Sequence, residues 1–170
     1  MNNIRRILVP TDFSAASSEA IELAAGLAKP LAVDAVDLIY IWSPPTLISP
    51  KLLTIAPEEG GRGLTLEDLA REQAELQLQL AQKRLKDQGV ESRIHLGVGN
   101  PAHEILVLAE SGHYDLIVLG TRGRKGLSHA ILGSVAEKVL RHAPCPVLTV
   151  HARTLEPEPA QRTTSTEQLA

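Results

Sequence analysis

Five short runs of apolar, mostly branched residues, separated by longer segments with helical spacing, constrain this chain more than any other feature. The runs are Ile4 to Pro10, Ala35 to Trp42, Glu91 to Gly97, Asp115 to Gly120 and Cys145 to Val150. Short runs that are apolar at successive positions are expected of strands buried on both faces. Between them lie Ser14 to Lys29, Thr65 to Gln88, Pro101 to Ser111 and Ser134 to His142, so the order is βαβαβαβαβ. Parallel neighbours need crossovers of roughly a dozen residues, and these segments supply them. The pattern predicts a doubly wound α/β sandwich, a five-stranded parallel sheet with helices on both faces.

Punctuation between the runs supports this division. Ile21, Ala24, Ala25 and Ala28 form one face of the first helix before Lys29-Pro30 stops it. Thr65 with Asp68 reads as a capping box for the second helix, and Gly89 closes it. Asn100-Pro101 supplies a cap and a first-turn proline for the third, with Gly112 after its end. Ser134 with Glu137 reads as a capping box for the fourth. Ser43 to Gly63, rich in proline and glycine, is expected to be a long loop, and 153–170 a disordered tail. With 170 residues the chain suits a single domain, expected over 1–152.

Charge and composition exclude several functions. Lys plus Arg number 17 against 20 for Asp plus Glu, so no global attraction toward nucleic acid or an anionic membrane is expected. Aromatics are only 2%, too few for base-stacking platforms, so the core must be aliphatic. A single cysteine, Cys145, fits a reducing compartment, and no run is long enough to span a membrane. The N-terminal apolar run is too short for a secretion signal, so a cytoplasmic location is expected. The six histidines show no spacing that argues for zinc, and no serine sits in a nucleophile elbow.

In an open parallel sheet, ligands bind beyond the carboxyl ends of the strands, where strand order reverses. The segment following the fourth strand, Gly120-Thr121-Arg122-Gly123-Arg124-Lys125-Gly126, is the most informative one there. From Leu116 through Ala136 it carries three cations, Arg122, Arg124 and Lys125, and no carboxylate, although the whole chain is acidic. Glycines let a backbone approach a ligand closely, so that its N–H groups can cradle an anion. Gly133-Ser134 then opens a helix whose free N–H groups and dipole attract the same charge. A phosphate between loop and helix is the physical reading. The loop is not a P-loop of the G-x-x-x-x-G-K-[ST] kind. Gly97-Val98-Gly99-Asn100-Pro101-Ala102 fits G-x-G-x-x-A, but Asp115 stands at the start of its strand, so a helix entry is the better reading.

Gly120-x2-Gly123-x9-Gly133-Ser134 reproduces a G-x2-G-x9-G-[ST] nucleotide signature, and the chain around it resembles the universal stress protein family. The opening ILVPTDFS, the LIYIW strand and the G-N-P-A-H-E-I helix entry share that resemblance, which spans most of residues 4 to 151. It implies strand order 3-2-1-4-5, an adenine nucleotide hydrolase-like, Rossmann-like sandwich, and ATP held across the switch between the first and fourth strands. Carried over by position, Pro10, Thr11, Asp12 and Ile41 would contact adenine and Gly120 the ribose. Arg122, Gly123, Gly133, Ser134 and Val135 would hold the phosphates, with Thr121 and Arg124 of the same loop in the binding set. Asp12 equally suits an Asx-turn before the first helix, and both roles can hold at once.

Magnesium is expected to enter with the phosphates, since no acidic cage is visible. The last strand, 146–150, would be an apolar sheet edge, and the resemblance implies that it pairs in a homodimer. The expected function is nucleotide-dependent stress signalling by binding, with at most slow ATP hydrolysis and room for an unknown protein partner. Two alternatives stand beside it. One is a genuine ATPase or nucleotide hydrolase with Asp12 as metal ligand or base; the other is a nucleotide-free interaction module.

Overall fold

A computed structural model describes residues 4–44, 54–55, 64–121 and 132–151. The expected tail, most of the proline-rich segment, and Arg122, Gly123, Arg124 and Lys125 lie outside the described residues. In chain order the elements are β1 (Arg6–Pro10), α1 (Ala15–Ala28), β2 (Ala35–Trp42), β3 (Thr54–Ile55), β4 (Leu64–Thr65) and α2 (Leu66–Asp87). They continue with β5 (Ile94–Val98), α3 (Pro101–Ser111), β6 (Leu116–Gly120), α4 (Ser134–His142) and β7 (Val147–Val150). The five predicted strands form one sheet in the order β5-β2-β1-β6-β7, all neighbours parallel. In terms of the five predicted strands this is 3-2-1-4-5.

The alternation of side chains along each strand divides the core into two layers. Ile7 and Val9 of β1, Val36 and Leu38 of β2 and Val118 of β6 face α1 and α2, meeting Ala20, Ala24, Leu78 and Leu85. Leu8, Ile39, Ile41, Ile117 and Leu119 face α3 and α4, meeting Ala102, Ile105, Ala136 and Val139. An aliphatic core therefore fills both sides, with small residues where helix and sheet come closest. The tightest approach is at the end of β6, where a Cβ on Gly120 would lie 2.8 Å from backbone atoms of Ala16 and Ser17. Gly120 thus has a packing role that is independent of any ligand.

The predicted caps of the first three helices are present. Ser14 accepts from Ser17 N–H, Thr65 and Asp68 form a reciprocal capping box, and Asn100 accepts from His103 N–H with Pro101 in the first turn. Two expectations need correction. The Ser43 to Gly63 segment is not loop throughout, because Thr54–Ile55 pairs antiparallel with Leu64–Thr65. Strands this short carry no periodicity, so the proline-rich composition hid them. The Ser134–Glu137 capping box does not form: Gly133 is the N-cap, Ser134 is already helical, and no side chain among the described residues caps the helix. Glu137 instead pairs with Arg141 at 3.0 Å, one turn further along.

Connections fix where a ligand can sit. β1 to β2 and β2 to β5 progress outward on one side, whereas the chain after α3 returns to lay β6 on the other side of β1. Adjacent loops therefore diverge at the carboxyl ends of β1 and β6, and the crevice of the sheet opens there. At the opposite, amino end the chain is pinned by charge. The Asp115 carboxylate accepts the backbone N–H groups of Arg5 and Arg6, each at 2.9 Å. This confirms that Asp115 stands on the far side of the sheet from the crevice.

Candidate functional site at the sheet switch point

One wall of the crevice is the turn that leaves β1. Pro10 and Thr11 are buried, and Thr11 N–H still donates to Ile39 of β2 at 2.8 Å, so the sheet positions the turn directly. Thr11 Oγ1 donates to Ser17 Oγ at 3.1 Å and accepts from Phe13 N–H at 3.0 Å. Asp12 Oδ1 accepts from Ser14 N–H at 3.1 Å, the Asx-turn that the sequence allows. Phe13 adopts a left-handed conformation, φ 62°, that few non-glycine residues take. Its ring stacks on Tyr40 with centroids 4.9 Å apart, which holds it there. The turn is therefore fixed before any ligand arrives.

The opposite wall is the base of the glycine loop. Thr121 is 2% exposed, and every polar group it has is engaged. Its N–H donates to Val150 at 2.8 Å, and its carbonyl accepts from Gly133 N–H at 2.9 Å. Its hydroxyl lies 3.2 Å from the Val150 carbonyl and also contacts His151 Nδ1. The Gly133-to-Thr121 bond closes the loop at its neck and brings the start of α4 to the end of β6. A Cβ at Gly133 would lie 3.2 Å from the Thr121 carbonyl oxygen, so glycine suits this closure.

The start of α4 differs chemically from the other helix starts. The first N–H groups of a helix have no intrahelical partner. In α1, α2 and α3 a serine, a threonine and an asparagine side chain take one of them. In α4 the N-cap is Gly133, which has no side chain to offer, and among the described residues no other side chain takes one of them. These N–H groups, at the positive end of the helix dipole, form a receptor for an anionic group.

The structure thus places Pro10, Thr11, Asp12, Gly120, Thr121, Gly133, Ser134 and Val135 at the carboxyl edge, around one switch point. Ile41, 9% exposed near the end of β2, joins them on the α3 and α4 side, where Val135 packs against the same apolar cluster. Arg122, Gly123 and Arg124 lie outside the described residues. Among the described residues, no three His, Cys, Asp or Glu side chains converge as a metal site. Cys145 is partly buried, and burial first, then the neighbouring Asp115 charge, raises its thiol above the usual range. Such a thiol is a poor nucleophile.

Sequence reasoning missed two groups of residues. The first is His151, brought against Thr121 by the pairing of β6 with β7. The second lies at the other end of the sheet, where Asp37 is fully buried inside β2. Asp37 accepts from Tyr114 Oη at 2.7 Å, Arg6 Nη2 at 3.0 Å and Arg93 N–H at 3.1 Å. Burial is the largest single influence on Asp37 and pushes it up, but these donors together hold it below the usual carboxylate range. Arg6 also lies over the Tyr114 ring, 4.4 Å from its centroid. This network ties β1, β2 and the segment before β6 together, away from the crevice.

A parallel sandwich of order 3-2-1-4-5, with the β1 turn and the start of α4 meeting at its switch point, is a doubly wound α/β protein. The chain belongs to the universal stress protein family, whose family model matches residues 3–151. It is 38% identical over 149 residues to universal stress protein MJ0531 of Methanocaldococcus jannaschii, covering 88% of this chain and 83% of that protein. It is 31% identical over 150 residues to universal stress protein YxiE of Bacillus subtilis, covering 85% of this chain and 97% of that one. Among solved structures, MJ0577 of the same archaeon superposes with a TM-score of 0.75 at 28% identity, covering 89% of this chain and 99% of that one. A universal stress protein from Archaeoglobus fulgidus in complex with dAMP shares the fold, with a TM-score of 0.57 at 22% identity over 88% of this chain and 99% of that one.

Proposed function

We propose that this chain is a cytoplasmic ATP-binding universal stress protein that works as a homodimer, using nucleotide occupancy as its signal. The observation that carries the reading is the start of α4, whose first N–H groups no side chain among the described residues caps, held next to Thr121 by the Gly133 N–H to Thr121 carbonyl bond. An anionic group suits that place by hydrogen bonding and by helix dipole alike. The three cations of the intervening loop, Arg122, Arg124 and Lys125, supply charge for more than one phosphate. Across the switch, the Pro10 to Asp12 turn and Ile41 offer a buried, partly apolar seat for a base. Complexes of fold relatives with dAMP and with cAMP support an adenine nucleotide as the ligand class.

Magnesium would accompany the phosphates, bound through their oxygens in the manner usual for this ion. Hydrolysis is expected to be slow at most. Asp12 is the carboxylate of the β1 turn, and its Oδ1 is already committed to Ser14 N–H. Positioning without an activated water supplies only part of a hydrolytic rate.

The reading is tested by denaturing the purified protein, identifying any released nucleotide, and titrating ATP into the wild type and Gly123→Val. ATP that is released or binds tightly, with affinity lost at least about tenfold in the variant, is the expected result, since a branched side chain denies the backbone its close approach. A wild type that neither carries nor binds nucleotide would sink the site assignment and favour an interaction module.

A further inference from the structure

The Gly97-x-Gly99 run at the end of β5 is left unexplained by the phosphate reading. Gly97 pairs in register with Ile41, and a Cβ there would come within 3.3 Å of Ile41 Cγ1 and 3.9 Å of Glu104 Cβ. Bare backbone at this position therefore lets Ile41, an apolar wall, and the stem of Glu104 pack close against the strand, where a Cβ would crowd Ile41. Gly99 takes a φ of 137°, open to glycine, and a Cβ there would lie 3.4 Å from Glu104 Oε1. The Glu104 side chain thus lies along the glycine run, with its carboxylate at the carboxyl edge of the sheet.

Local structure does not use that carboxylate. The cap of α3 is Asn100, which accepts from His103 N–H, and Gly99 N–H is taken by the Trp42 carbonyl at 2.9 Å. Glu104 is half-buried, and among the described residues no hydrogen bond or ion pair engages its carboxylate. An ionised carboxylate only accepts hydrogen bonds. It attracts an amino group and repels a carbonyl oxygen placed before it.

We propose that Glu104 sets base selectivity at this site, favouring a purine with an amino group at C6 over one with a carbonyl there. The inference rests on the nucleotide-binding reading above and on Ile41 as a wall of the base seat. Glu104 would accept from the exocyclic amine at the rim while Ile41 packs against the ring. A 6-oxo purine would present an acceptor to an acceptor.

The test is calorimetric titration of ATP and of ITP, which differ at that position, into wild type, Glu104→Gln and Glu104→Asp. Wild type is expected to prefer ATP by roughly ten- to a hundredfold, the size of one hydrogen bond to a charged group. Glu104→Gln can turn its amide to donate to the carbonyl, so ITP should tighten, ATP weaken, and the preference fall to within about threefold. Glu104→Asp withdraws the acceptor by one methylene and should lower the preference while keeping the charge, which covers the case of a poorly folded glutamine variant. A wild type without preference, or variants that keep it or lose both nucleotides equally, would overturn the assignment. If ATP fails to bind wild type at all, the nucleotide reading itself falls; if ATP binds and the ratio is indifferent to Glu104, only the selectivity role does.

Discussion

Asp37 shows how a single residue can bind distant parts of the chain. It is a fully buried acid within an otherwise largely apolar strand, and its partners Arg6 and Tyr114 lie 31 and 77 positions away. Removing one member of a buried, hydrogen-bonded charge network leaves the others uncompensated, which costs about 3 kcal/mol or more. Asp37→Asn is therefore expected to lower unfolding stability by about that amount in urea titrations at neutral pH. The pH dependence follows from the direction of the shift. Asp37 is held below its ordinary value of 3.8 in the folded protein, so its contribution is complete above that value and is lost as pH falls through the lower folded one. The gap between wild type and variant should be constant above about pH 5 and narrow below about pH 4. A gap that is absent, or that widens in acid, would contradict this account. The acid itself is visible in the sequence inside AVDLIYIW, but its partners are not, because strand order and register alone bring them together.

Among the elements, α4 is where sequence and structure part most informatively. Ser134 and Glu137 have the spacing of a capping box, yet the helix starts one residue earlier, with Gly133 as its cap. Tertiary context chooses the start: the Gly133 N–H is drawn to Thr121, which places Ser134 inside the first turn. The result is a helix start whose first N–H groups have no side-chain partner among the described residues. Gly133→Asp would supply both a capping oxygen and a negative charge at the same place. We expect ATP affinity to fall at least about tenfold while thermal stability stays within a few degrees of wild type, the new cap offsetting the 3.2 Å approach of the added Cβ to the Thr121 carbonyl, as read by titration and by thermal denaturation. Retained ATP affinity would place the phosphates elsewhere. By contrast, the caps of α1, α2 and α3 follow their local sequence, because Ser14, Thr65 and Asn100 each meet the N–H group three residues on. Capping of that kind is decided within four residues and can be read directly.

For the molecule as a whole, the sheet leaves two edges, β5 and β7. Leu148 on β7 is 38% exposed, and an apolar edge strand invites pairing with another chain. The proposed homodimer through 146–150 predicts a mass of twice the monomer by size exclusion with light scattering at micromolar concentration. Leu148→Lys should shift the protein toward monomer, since a charge on the edge opposes strand addition. A wild-type monomer under those conditions would refute the arrangement. No helix among the described residues is long and apolar enough to cross a membrane.

Sequence alone determined the elements of the main sheet and their class. Runs such as Ala35–Trp42 and Leu116–Gly120, apolar on both faces, can be satisfied only between two helical layers. The glycine loop with its cations stands out in the sequence alone, because its residues lie close together in the chain, while Arg122 to Lys125 lie outside the described residues. What tertiary structure decided was everything that depends on neighbours distant in sequence. It decided the seat of Asp37 among Arg6, Tyr114 and Arg93, the closure of the loop neck by Thr121 and Gly133, and the contact of His151 with Thr121. It also decided the placing of Glu104 beside Gly97, Gly99 and Ile41. Local sequence sets which backbone states are cheap, whereas burial and register set which side chains meet, and a ligand site is made from the second of these.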